Sequence, residues 1–78
     1  MTAIVTAIQH DRRLPAAPFD RAFIAAMIPH HESAIAAARA AETQAQKPEI
    51  KQLARDIIAA QQKEIDQMTG WRKSWFGS

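Results

Sequence analysis

Seventy-eight residues with no cysteine, two glycines and a formal net charge of +2 allow one small domain. They exclude a disulfide framework, a thiolate zinc site and a continuous basic surface for nucleic acid; Arg12-Arg13 and Arg72-Lys73 are only short basic pairs. No apolar run approaches the roughly 20 residues that span a bilayer, so no membrane span is expected. The wealth of alanine, glutamine, glutamate, lysine and arginine favours helix.

Residues 1–17 read as a lead-in arm ending in the breaker Pro15-Ala16-Ala17-Pro18. Ile4, Val5 and Ile8 fit a short helix or an extended arm equally well, and His10 is expected to face solvent. The first eight residues lack a charged leader and a cleavage site, so they make a poor signal peptide. An exported protein would have lost its signal, or the chain would be a fragment.

A first helix is predicted over about 18–43, with Pro18 in its first turn and Asp20 beside its positive end. Phe19, Phe23, Met27, His30, Ala34 and Ala38 recur at spacings of three and four and are expected to form its inner stripe. Pro29 lies inside this run, where a proline removes one backbone hydrogen bond and crowds the carbonyl four residues back, so a bend is expected there.

Thr43 to Lys47 turns the chain, and Pro48-Glu49 restarts it as a second helix over about 48–75. Ile50, Leu53, Ile57, Gln61, Glu64, Ile65 and Met68 mark its expected inner face. Gly70 either caps this helix or is passed over on the way to Trp75. Trp71, Trp75 and Phe76 are expected to plug one end of the assembly.

Residues 18–78 are thus an all-α, long antiparallel helical hairpin. One hairpin cannot hide two broad apolar stripes, so pairing with a second copy into a four-helix bundle is expected, making a homodimer.

The distinctive cluster is Met27-Ile28-Pro29-His30-His31-Glu32, two imidazoles directly after the helical proline. A connection centred near residue ~46 places His30 and His31 beside Gln61, and Met27 near Glu64 and Met68. Imidazole suits several transition metals, whereas thioether selects Cu(I) or Ag(I), so a site built from His and Met without Cys points to copper before zinc. His30, His31, Met27 and Met68 are the candidate ligands, with Glu64 and Gln61 orienting an imidazole from behind.

The same residues also fit a metal-free layer. Adjacent helical residues point about 100° apart, which allows a core His30 bonded to Glu64 or Gln61 and a solvated His31. Met27 and Met68 are then core filler, and Gln61 fixes bundle register. Catalysis is not expected. There is no Glu-x-x-His pair, phosphate-binding glycine loop or nucleophile with a plausible triad, and Ser33 lacks an orienting third group.

The run Asp20-Arg21-Ala22-Phe23-Ile24-Ala25-Ala26-Met27-Ile28-Pro29-His30-His31-Glu32-Ser33-Ala34-Ile35 resembles the signature of the domain-of-unknown-function 305 family. Pro48-Glu49-Ile50, Leu53-Ala54, Ile57-Ile58, Gln61, Glu64-Ile65, Met68 and Trp71 extend the resemblance to about residues 19–76. It implies a ferritin-like helical bundle, often exported from bacterial cells, hence a periplasmic or other extracytoplasmic setting. Some members bind copper or silver and protect against those metals, which here implies a protein that buffers or carries Cu(I).

By position, Met27, His30, His31 and Met68 match the family's metal-facing residues, and Gln61 and Glu64 its patterned polar ones. Two departures stand out. Members commonly carry a methionine six or seven residues after the paired histidines, where this chain has Ala37 and Ala38. Many also continue into a second hairpin with another His-His pair, so the chain is expected to be half of a duplicated domain, or to form the bundle from two copies.

Overall fold

The computed structural model describes residues 17–78. They form two helices, α1 (Pro18–Gln44) and α2 (Pro48–Phe76), packed against each other as a hairpin and joined by residues 45–47. The lead-in arm, with Ile4, Val5, Ile8 and His10, lies outside the described residues except for Ala17. No helix among the described residues is long and apolar enough to cross a membrane.

Local chemistry sets both starts. Pro18 and Pro48 stand in the first turns, where a missing N–H leaves nothing unpaired. The Asp20 carboxylate accepts a hydrogen bond from the Ala17 N–H at 3.0 Å, tying the first turn to the residue before it. Glu49 supplies the acidic residue in the first turn of α2.

The ends are equally explicit. Ala45 donates its N–H to the Ala41 carbonyl at 2.9 Å as α1 stops. α2 closes at Gly77, whose φ of 80° is a left-handed conformation that favours glycine, with its N–H donating to the Lys73 carbonyl at 2.9 Å. Gly70 is therefore not the cap. The helix passes through it, and a Cβ there would meet nothing within 4 Å.

α1 also continues through Pro29 without a break. The carbonyl that loses its partner belongs to Ala25, four residues back. Ala25 and Pro29 are both exposed, so water can take the missing donor's place.

The seam between the helices is buried by Ile24, Ile28, Ile35 and Ala38 from α1 and by Ala54, Ile65 and Met68 from α2. Met27, Ile58 and Phe76 pack onto it. This corrects the stripes expected from spacing. Phe19 is 72% exposed and Phe23 49%, and His30 is exposed too. On α2, Ile50 and Leu53 are exposed while Ala54 is buried.

The physical reason is that each helix carries two apolar stripes about 100° apart and has one partner to cover them. Isoleucine and alanine enter the seam, where branched and small side chains let two backbones approach. The aromatic and leucine stripe is left on one flank. Each buried isoleucine contributes about 1.5–3 kcal/mol, so these few side chains carry most of the hairpin's stability.

Candidate metal centre

The seam register on α1 runs through positions 24, 28, 31, 35 and 38, so it takes His31 and leaves out His30. The His31 side chain is 14% exposed, whereas the residue before it faces solvent. Their rings are 6.3 Å apart at 63°, which follows from adjacency on a helix and does not aim both at one point.

His31 is held at both nitrogens. Nδ1 lies 2.8 Å from the Met27 carbonyl oxygen, which can only accept, so Nδ1 carries the hydrogen and donates. Nε2 contacts Glu64 Oε1 across the hairpin. The Glu64 side chain is 53% exposed and reaches inward from the rim of α2.

Beside this pair runs a shallow groove on one flank of the seam. Phe23, Met27 and His31 line it from α1, and Glu64, Met68 and Trp71 from α2. It brings one imidazole and the two methionines Met27 and Met68 to the same groove.

Four of the six residues singled out by sequence, Met27, His31, Glu64 and Met68, therefore share one groove. His30 does not. Gln61 is half-buried on α2 and is not among the groove's lining residues. The Glu64 contact also lies one turn beyond the level at which simple hairpin pairing placed the histidines, because a glutamate side chain reaches along the helix.

Glu64 contacts an imidazole, at Nε2 of His31. A carboxylate that orients a ligating imidazole binds the nitrogen facing away from the metal. Here the Met27 carbonyl takes Nδ1 and Glu64 takes Nε2.

Among the described residues, no three His, Asp or Glu side chains are grouped to hold a metal. Soft monovalent ions are the ones thioethers retain. Sequence reasoning omitted Trp71 and Phe23 from the site. Trp71 lies three residues beyond Met68 and Phe23 four before Met27, spacings that place each pair on one helical face.

Residues 2–77 match the family described as "Domain of unknown function (DUF305)". The chain is also similar to an uncharacterised protein of Acanthamoeba polyphaga mimivirus, 45% identical over 49 residues, which are 63% of this chain and 32% of that one. The matched stretch thus spans about a third of the curated relative's length. No solved structure matches the chain.

Proposed function

The chain belongs to the DUF305 family, and from its groove we propose that it binds a soft monovalent ion, Cu(I) or Ag(I), to buffer or carry it. His31 Nε2 and the Met27 and Met68 sulfurs are the ligands in this reading. One observation carries it: Nδ1 of His31 is fixed on the Met27 carbonyl, so Nε2, which Glu64 contacts in this structure, is the nitrogen an ion would take beside Met27 and Met68. Back-side donation to a carbonyl is how ligating histidines are generally set in tautomer and orientation.

Glu64 is then the group the ion displaces, and its half-exposed side chain has room to swing outward. Gln61 remains a polar neighbour that helps order the layer. His30 takes no part within one chain.

The exposed flank supports a second element of the proposal. Phe19, Phe23, Ile50, Leu53, Trp71 and Trp75 are each 44% exposed or more, an unusual load for an isolated hairpin. A second copy laid on this flank closes a four-helix, ferritin-like bundle and shields the groove from water. Sedimentation of the parent should then report a dimer, and Leu53→Glu should leave a helical monomer. A parent that stays monomeric at high concentration rules the bundle out.

A metal-free assembly module is the alternative. It is favoured by the His31–Glu64 contact at Nε2, which together with the Met27 carbonyl at Nδ1 already satisfies both imidazole nitrogens. An anaerobic Cu(I) titration against a competing chelator separates the two. Metal binding predicts one ion per chain, lost in His31→Ala with helicity kept. A folded parent that takes up no ion leaves the assembly reading standing.

A further inference from the structure

The sulfur and nitrogen donors occupy only part of the groove, and the wall beside Met68 is an indole. Trp71 is 45% exposed and shares the groove with Met27, His31 and Met68. Its ring is held in place. Trp75, one turn further on, stacks parallel to it with centroids 5.6 Å apart and 2° between the planes. Phe76 meets Trp75 edge-on at 6.4 Å, and the Arg21 guanidinium lies 5.4 Å above the Phe76 ring, linking α1 to the aromatic end of α2.

Trp75 stacks on one face of Trp71, and the residue remains 45% exposed. Trp75 lies toward the C-terminal end of α2, and on the other side Trp71 shares the groove lining with Gln67 and Glu64, which leaves the face away from Trp75 for the groove. This arrangement departs from a simple hydrophobic plug, in which Trp71 would be buried.

We propose that the open π face of Trp71 forms a wall of the ion site and contacts the bound monovalent cation directly. The inference rests on the soft-ion reading of the groove and adds a group to it. Three neutral donors, one imidazole and two thioethers, bring no charge of their own to the ion, and the Glu64 carboxylate that the ion displaces moves to the half-exposed rim. An indole face carries the negative end of the ring quadrupole and attracts a cation most strongly when water is absent. The same ring excludes a water ligand, which a soft ion with few ligands gives up readily and a hard divalent ion does not.

Ag(I) is the probe, because it does not change oxidation state during the titration. Trp71 and Trp75 are the two tryptophans of the chain, so Trp75→Phe leaves Trp71 as the sole indole while keeping a stacking ring. In that background, one equivalent of Ag(I) should quench the indole emission and shift its absorption to the red, saturating together with binding measured by chelator competition. Trp71→Phe should weaken binding slightly and Trp71→Leu by about tenfold, with stoichiometry and helicity unchanged.

Binding that depends on His31 yet leaves the indole spectrum untouched, or is as tight in Trp71→Leu, overturns the role of Trp71 and spares the ion site. Absence of any binding by the folded protein overturns both.

Discussion

Two shallow grooves flank the isoleucine seam, and they differ in chemistry more than in shape. One is lined by Met27, His31, Met68 and Trp71. The other is walled by Ile35, Ala36 and Ile65 and rimmed by Glu32, Arg39 and Gln62. Gln62 donates to Asp66 at 3.0 Å, one of the helix-surface pairs that keep polar side chains ordered without forming a site. The sulfur, imidazole and indole groups of the described residues are concentrated on the first flank, together with the exposed aromatics. Concavity alone therefore does not distinguish a site here. The residue types do separate the two grooves, and the sulfur- and imidazole-bearing set lies beside the exposed aromatics.

The largest expected effect removes both grooves together. Ile28→Ala deletes a seam side chain and should destabilise the hairpin by about 2–4 kcal/mol, enough to abolish most helicity in circular dichroism. Ile50→Ala, on the exposed flank, should stay within about 0.5 kcal/mol in the monomer. Equal losses would mean that the seam has been misplaced.

The next effect separates the grooves. Met27→Leu with Met68→Leu conserves volume and removes both sulfurs, and should lower Cu(I) affinity by roughly 100-fold or more. Glu32→Gln with Arg39→Gln, in the opposite groove, should leave affinity within about threefold. Chelator competition measures both, and a comparable loss from the second pair would erase the contrast.

Smaller still is the difference within the His-His pair. His30→Ala should keep Cu(I) affinity within about threefold, because the side chain stands outside the groove. Should His30→Ala abolish binding as fully as His31→Ala, the assignment of His31 alone would fail. Last comes Gly70→Ala. With open space around the added methyl, it should stabilise α2 by about 0.5–1 kcal/mol. A loss of stability in urea unfolding would show that the flank near Trp71 is covered more closely than one chain indicates.

The hairpin itself was legible because its signals are local: Pro18 and Pro48 in first turns, acids behind them, and a short polar connection. The seam was not, since Phe23 and Ile24 belong to equally periodic stripes and spacing cannot say which one meets the partner helix. That choice is tertiary, and it moved the seam-facing imidazole from His30 to the half-buried His31. Met27 and Met68 drew notice as thioethers at helical spacing, and Glu64 as an acid on an apolar stripe. Trp71 was assigned to a plug because an aromatic near a helix end has no chemical signature until its neighbours are placed. The Met27 carbonyl that fixes His31 was beyond sequence altogether, being a backbone group common to every residue.

The most direct test of the soft-ion groove is X-ray absorption at the copper edge of the Cu(I)-loaded protein. Two sulfurs and one imidazole nitrogen are predicted around the metal, with the sulfur contribution absent from Met27→Leu/Met68→Leu. A shell of nitrogen and oxygen alone, unchanged by those substitutions, would contradict the account.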